Sequence, residues 1–222
     1  MSNSILLLGE SGVGKSTSFR NLDPAETFII NILDKPLPFR GYKKNYTPLS
    51  VDGLSGNYYE TDEHDKIMRV IKLVNSKRPE IKNLIIDDFG FTLTNTYMKR
   101  SREPGYNKFL DIGRNAWEVV MSLRGQRDDL NCIMTMHTEI DNAGRYKPRT
   151  IGKMVDQYNI IEGSFTFIFH ALIIESEYKF LTNNDGCHMA KTSMGCFDEL
   201  YVDNDLNEVI KQINDYNNGN KT

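Results

Sequence analysis

The segment GESGVGKS, residues 9–16, restricts the possible folds of this chain more than any other feature of the sequence. It matches the pattern G-x-x-x-x-G-K-[ST] of a phosphate-binding loop. The four residues before it, ILLL, form the short continuous apolar run that is typical of a strand buried on both faces. A helix is predicted to begin near Lys15, so the motif stands between a strand and a helix, as its chemistry requires.

The residue types in this loop suit the binding of a nucleoside triphosphate. Glycine lets successive backbone N–H groups curl around phosphate oxygens, and the following helix directs its positive end at the same anion. Lys15 is predicted to reach the β- and γ-phosphates, and the hydroxyl of Ser16 is predicted to ligate Mg²⁺. The predicted nucleotide-binding residues are Gly9, Glu10, Ser11, Gly12, Val13, Gly14, Lys15, Ser16 and Thr17.

Two aspartates follow the apolar run of a later predicted strand, in the segment LIIDD at residues 84–88. Ligand sites of parallel sheets lie beyond the carboxyl ends of the strands, so Asp87 is predicted to meet Ser16 around Mg²⁺. Asp88 is expected either to orient or deprotonate a water that attacks the γ-phosphate, or to be a solvated turn residue. Asp34, at the end of the second predicted strand, is the rival candidate for the same catalytic task.

His137 ends the fourth predicted strand and is the last candidate catalytic residue beside Lys15, Asp88 and Asp34. If the strands of the sheet are ordered as expected, its side chain faces the γ-phosphate and senses whether that phosphate is present. A histidine that is satisfied within the core or at a strand edge is the open alternative.

The remaining pattern predicts an α/β fold with a mostly parallel central sheet flanked by helices. Apolar runs predict the first strands at residues 5–8, 27–33, 83–87 and 131–136. Amphipathic spacing predicts helices at residues 64–75, 91–103, 109–123, 150–160 and 204–216.

Two regions of the chain do not follow this alternation of strands and helices. Residues 40–61 are expected to be a long loop. Strands predicted at residues 165–174 and 178–182 are expected to form an antiparallel extension after residue 163. No linker divides the 222 residues, so we predict a single domain over residues 1–222.

The net charge of −3 excludes a chain that is basic throughout, but two short stretches are basic. The candidate DNA-binding residues in them are Lys99, Arg100, Arg102, Arg145, Lys147 and Arg149. Tyrosines such as Tyr106 and Tyr146 interleave these cations, a mixture that tracks a phosphate backbone and stacks bases. A solvated charged loop is the open alternative. Lys147, Arg149 or Lys153 are also candidates for a finger that reaches the γ-phosphate of a neighbouring subunit.

The cellular location is constrained by the cysteines and by the apolar runs. The three cysteines are odd in number and widely spaced, which indicates neither a disulfide framework nor a zinc site. The apolar runs are too short to span a membrane, and no basic region precedes the first of them. We therefore expect a cytosolic protein.

Several segments together resemble the phage-encoded RecA-like NTP-binding proteins, which include small single-strand-annealing recombinases built on a RecA-like P-loop core. They are distributed along most of the chain: GESGVGKST, DKPLPFRG, LIIDDF, MTMHTE, KPRTIGKMVDQYNIIEG, AKTSMGCFD and NDLNEVIKQI. The resemblance implies a DNA-stimulated ATPase with ATP and Mg²⁺ as cofactors, which acts in phage recombination by annealing or strand exchange in the bacterial cytoplasm. The partners it implies are single-stranded DNA, further copies of the chain and a single-strand DNA-binding protein.

The same resemblance bears on two parts of the site. It implies that the loop at residues 138–149 lies where the RecA-like core has a DNA-binding loop. RecA carries a catalytic glutamate after its second strand, whereas this chain has Asp34 followed by Lys35 in that neighbourhood. The choice between Asp34 and Asp88 therefore stays open.

Two other functions also fit the sequence. A nucleotide-gated helicase loader or regulator without strong catalysis would use the same loop. A nucleotide or nucleoside kinase would share the spacing of GESGVGKS and use residues 99–102 as a lid.

Overall fold

The structure is a computed structural model that describes residues 2–151 and 161–220. Its described strands are β1 (Asn3–Gly9), β2 (Thr27–Asn31), β3 (Tyr58–Glu60), β4 (Asn83–Asp87), β5 (Asn131–Ile140), β6 (Tyr146–Pro148), β7 (Phe167–Ile174), β8 (Glu177–Leu181) and β9 (Tyr201–Asp203). Its described α-helices are α1 (Tyr42–Asn45), α2 (His64–Lys77), α3 (Gly90–Lys99), α4 (Asn107–Ser122) and α5 (Leu206–Asn217). Short 3₁₀ helices span Ser16–Asn21, Leu123–Gly125 and Glu162–Ser164.

These strands form one sheet in the order β3-β2-β4-β5-β1-β7-β8-β9, with β6 paired to β5. Strand β1 is parallel to both of its neighbours, β5 and β7. Strands β4, β2 and β3 continue the parallel part on the other side of β5. The carboxyl ends of these strands therefore meet along one edge, where ligands bind in such sheets.

The sheet is covered by helices on both faces because its central strands contain continuous apolar runs. Leu6 and Leu8 of β1 belong to a core that includes the apolar faces of α2 and α4. Ile5 and Leu7 belong to a second core that includes the apolar face of α5. Successive side chains of a strand point to opposite faces, so a continuous apolar run fills both cores. The predicted mostly parallel sheet flanked by helices is confirmed.

The structure differs from the sequence-based expectations in the short elements. The phosphate-binding loop leads into a 3₁₀ helix at Ser16–Asn21, not an α-helix. The expected loop at residues 40–61 contains α1 and β3, and β3 is an edge strand too short to give an apolar pattern. Likewise, the loop after His137 contains β6.

The C-terminal extension is antiparallel only in part. Strand β7 is parallel to β1, because its buried start at Phe167–His170 fits a central position in the sheet. Strands β8 and β9 follow antiparallel, as expected. The helix predicted at residues 150–160 lies largely outside the described residues, and so does Lys153.

None of the helices within the described residues combines the length and the apolar character that crossing a membrane demands.

Candidate active site

The phosphate-binding loop depends on glycine at positions where the backbone is crowded and left-handed. Gly14 has φ +91°, and a Cβ there would lie 2.9 Å from Cδ1 of Tyr178. Gly9 has φ +151°, and a Cβ there would lie 2.9 Å from the carbonyl oxygen of Ala171. Other residues would be strained at both positions, so the loop keeps the shape that the motif predicts. Glu10 and Ser11 are exposed on its outer side.

Lys15 lies beneath the loop, almost completely buried. Its Nζ donates to the carbonyl oxygens of Gly9 at 2.9 Å and Glu10 at 2.7 Å, and lies 3.5 Å from Nδ1 of His137. Burial lowers the pKa of Lys15 to about 8, although the charges of Asp88 and Asp87 oppose the shift. The ammonium form still predominates at neutral pH, so a cation stands at the predicted phosphate position.

Ser16 and Asp87 come together as the sequence predicts. The Ser16 hydroxyl lies 3.0 and 2.9 Å from the two carboxylate oxygens of Asp87. Burial is the main cause that raises the pKa of Asp87 to about 6, and the charge of Asp88 is the second. These oxygen donors fit Mg²⁺, which takes one or two carboxylates together with water and substrate phosphates. A cation here would also stabilise the ionised form of the buried carboxylate.

Asp88 is buried, which excludes the solvated turn residue that the sequence left open. Its carboxylate forms an ion pair with Nζ of Lys35 at 2.7 Å and lies 3.2 Å from Nε2 of His137. Burial opposes ionisation of Asp88, but hydrogen bonds from His137 and Lys35 hold its pKa at about 2. Asp88 is therefore ionised throughout the neutral range and held between two donors.

His137 connects the carboxylate of Asp88 with the ammonium of Lys15. Strand β5 lies between β1 and β4, so it brings His137 to the middle of the carboxyl edge, opposite Gly9 in the register. The geometry fits a tautomer in which Nε2–H donates to Asp88 while Nδ1 faces Lys15. Phe91 packs edge-on against the imidazole, with ring centroids 5.6 Å apart.

Asp34 has a different environment. Like Asp88 it follows a strand and has a left-handed backbone, with φ +52° against +63°, but it lies three residues beyond the end of β2. Burial is the main cause that raises the pKa of Glu60, and the neighbouring Asp34 carboxylate adds to it, so the Asp34 carboxyl is turned towards the end of β3. The next residue, Lys35, is the one that reaches Asp88.

Two residues of the site were missed from the sequence, Thr135 and Lys35. The Thr135 hydroxyl donates to Asp87 at 2.7 Å and accepts the backbone N–H of Asp88 at 2.7 Å. A signal for Thr135 exists, since it precedes His137 by two and residues two apart on a strand share a face. Lys35 lies in the segment DKPLPFRG, but nothing in that segment points to Asp88, and only the folded chain brings the two together.

The two basic stretches carry their own counter-ions. Four of the candidate DNA-binding residues form ion pairs: Lys99 with Asp62, Arg100 with Glu103 and Asp111, Arg145 with Asp141, and Lys147 with Glu139. Arg102 and Arg149 are exposed. The backbone N–H of Arg149 donates to the carbonyl of His137 at 2.8 Å, which ties the second stretch to the site.

Replacing Thr135 with valine is expected to lower the free energy of unfolding by about 1–3 kcal/mol, because the buried N–H of Asp88 loses its acceptor. The matched control is Thr92→Val, since Thr92 is buried and its hydroxyl lacks a hydrogen-bond partner among the described residues. That change should be neutral or stabilising. Urea denaturation of the two variants measures the difference, and equal effects would contradict the role of Thr135.

Comparison with known proteins gives limited information. No protein-family model and no curated protein matches this chain. Among solved structures, the genome packaging NTPase B204 from Sulfolobus turreted icosahedral virus 2 matches in its complexes with ATP-gammaS and with AMPPCP. Each match has 14% sequence identity and a TM-score of 0.41, and covers 78% of this chain and 76% of the other.

A similarity at this level carries no argument about function, and the relation to RecA-like recombinases stays a prediction. The fold follows from the chain itself. A largely parallel sheet holds the loop GESGVGKS at the end of β1. Strand β4, which carries Asp87, is separated from β1 by β5 alone, and helices cover both faces of the sheet. This arrangement is the P-loop NTPase fold.

Proposed function

We propose that this protein is a Mg²⁺-dependent ATPase that acts on single-stranded DNA during phage recombination, by annealing or strand exchange. The observation that carries the ATPase part is the cluster of Lys15, Ser16, Asp87, Asp88 and His137 at one edge of the sheet. It joins a phosphate-binding cation, a pair of magnesium ligands and a second, ionised carboxylate.

Each residue has a task in hydrolysis. Lys15 neutralises charge on the β- and γ-phosphates. Ser16 and Asp87 would hold Mg²⁺, which would draw negative charge from the phosphate oxygens. Asp88 accepts a hydrogen bond from the attacking water and orients it. Because its pKa is about 2, orientation suits Asp88 better than proton abstraction. Lys35 and His137 fix the direction of its carboxylate.

The DNA-binding part of the proposal rests on the hairpin formed by β5 and β6. The hairpin continues the strand that carries His137, and its end is hydrogen-bonded back to the His137 carbonyl. A polymer bound to the hairpin therefore contacts the same strand as the γ-phosphate sensor. Arg145 and Lys147 are paired with Asp141 and Glu139, so DNA phosphates have to replace those acids.

Reversing the charges of Arg145, Lys147 and Arg149 to glutamate is expected to abolish binding of a single-stranded oligonucleotide. Replacing these residues singly with alanine should weaken binding and lower its salt dependence by about one unit of the logarithmic slope for each lost phosphate contact. Fluorescence anisotropy of a labelled oligonucleotide at several salt concentrations measures both effects. The same reversal at Lys99, Arg100 and Arg102 is the comparison. An affinity that stays unaltered and independent of salt would remove the hairpin from the proposal.

One set of assays separates the possible functions. Hydrolysis of ATP that is stimulated by single-stranded DNA supports the proposal. Phosphoryl transfer to a nucleoside monophosphate would instead identify a kinase. Nucleotide binding with neither activity would identify a nucleotide-gated regulator or helicase loader.

A further inference from the structure

A cleft of about 680 Å³ opens beside the phosphate-binding loop, on the side away from His137's strand. It lies between the start of the 3₁₀ helix, the strands β8 and β9, and α5. Thr17 and Arg20 line it on the loop side, and Tyr178, Val202 and Asn204 line it on the C-terminal side. Since Thr17 directly follows Ser16, the cleft begins where the phosphate site ends.

Asn204 is the unusual residue of this cleft. Its side chain is buried, with 3% of the residue exposed, and neither amide atom has a hydrogen-bond partner among the described residues. Buried amides are almost always hydrogen-bonded, because an unpaired donor or acceptor retains the full cost of leaving water. The protein's described part does not satisfy this amide, which indicates a ligand that does.

The position of the Asn204 amide is well defined relative to the loop. Both of its atoms lie 3.2 Å from the point that a Cβ on Gly14 would occupy. The backbone is fixed as well, since Arg20 donates to the Asn204 carbonyl at 2.6 Å and the Asn204 N–H donates to Tyr178 at 3.2 Å. A ligand that meets this amide therefore also meets the phosphate-binding loop.

Tyr178 supplies the second element of the site. Its ring lies against the same point on Gly14, at 2.9 Å from Cδ1, and about half of the residue is exposed at the cleft. An aromatic face offers a stacking surface to any base, and an amide beside it reads the hydrogen-bonding edge.

We propose that Asn204 and Tyr178 receive the base of the nucleotide whose phosphates occupy the loop, and that Asn204 selects adenine. The amide presents a donor and an acceptor side by side, which match the N6 amino group and a ring nitrogen on both edges of adenine. At the N7 edge guanine offers no such pair, because its N7 and O6 are both acceptors, so Asn204 distinguishes the two bases when it reads this edge. This inference rests on the proposed nucleotide binding and adds the choice of base.

The test compares three probes on the full chain in the presence of Mg²⁺: ATP, GTP and inorganic tripolyphosphate. The unmodified protein should bind ATP at least about tenfold more tightly than GTP. Asn204→Ala should bring the ATP to GTP ratio close to one and leave tripolyphosphate binding unchanged. Asn204→Asp replaces the donor with an acceptor, so the ratio should shift further towards GTP, whose N1–H and N2–H₂ are donors.

Two additional variants make the test robust. Tyr178→Ala should weaken ATP and GTP by about tenfold relative to tripolyphosphate, through lost stacking. Asn207→Ala removes a neighbouring amide near the start of α5 and should change none of the affinities. Thermal melting establishes that each variant folds. If the Asn204 variants do not fold, the ratio of ATP to GTP affinity of the unmodified protein still tests the proposal.

The outcomes that overturn the proposal are distinct from those that overturn nucleotide binding. Equal losses for ATP, GTP and tripolyphosphate in Asn204→Ala would show that the amide supports the loop and does not read the base. A preference of the unmodified protein for GTP, or no preference, would also contradict it. Failure of all three probes to bind the unmodified protein would overturn the proposed function itself.

Discussion

Replacing Lys15 with alanine is expected to lower ATP turnover by about a thousandfold. The ammonium group is buried beneath the loop, where burial and the nearby charges of Asp87 and Asp88 leave its pKa at about 8. A fixed cation in such a water-poor position stabilises the charge that develops on the γ-phosphate far more than an exposed one does. Steady-state measurement of phosphate release with saturating Mg²⁺ and ATP gives the effect.

The control for this variant is Lys66→Ala. Lys66 is half-exposed and forms an ion pair with Glu63, the residue that precedes α2, remote from the loop in the sequence. Such a pair contributes little, so turnover should not change. Circular dichroism should show that Lys15→Ala is folded, since Asp88 keeps its contacts with Lys35 and His137. Turnover within about tenfold of normal in a folded Lys15→Ala would contradict the assigned role.

The phosphate-binding part of the site is predictable because its chemistry is local. Gly9 to Ser16 form one contiguous segment whose spacing is set by the shape of a triphosphate. Placing Asp87 beside Ser16 needs only one further inference, which is that the carboxyl ends of parallel strands share an edge of the sheet. The contact of Ser16 with Asp87, 71 residues apart in the chain, bears this inference out geometrically.

The contacts around Asp88 were not predictable, because they are tertiary. Lys35 enters from the loop after β2, and Thr135 enters from β5. Thr135 has only the alternation of its strand as a signal, and no pattern points from Lys35 to Asp88. Thr135 nevertheless fixes the backbone of Asp88, and Lys35 pairs with the Asp88 carboxylate. Burial of the second aspartate depends on these neighbours, and a one-dimensional pattern contains no information about them.

The sequence shows where basic residues cluster, but it does not show which acidic residues they pair with. Lys99 stands in a basic stretch, yet it forms an ion pair with Asp62, which lies 37 residues earlier. Arg145 and Lys147 find acids on the other strand of their own hairpin or in its turn. A run of cations in the sequence therefore marks a candidate surface, and the fold decides how much of the positive charge is left for a partner.

Replacing Asp88 with asparagine is expected to lower ATP turnover by about a hundredfold or more while binding of Mg²⁺ and ATP is kept. Asparagine adopts the left-handed backbone at this position as readily as aspartate does, so φ +63° is no obstacle. The change removes the negative charge that Lys35 and His137 hold in place. The triphosphate loses a nearby like charge, so nucleotide affinity should stay equal or rise.

Asp34→Asn is the matched comparison, because Asp34 also has a left-handed backbone, with φ +52°, and competes for the same role. Its carboxyl interacts with Glu60 at the end of β3, so its loss should leave turnover within a fewfold of normal. Single-turnover hydrolysis with equal nucleotide occupancy of both variants separates chemistry from binding. If Asp34→Asn is the inactive variant and Asp88→Asn turns over normally, the water is oriented from the loop after β2. In that case the Lys35–Asp88–His137 contacts only hold the two strand ends together.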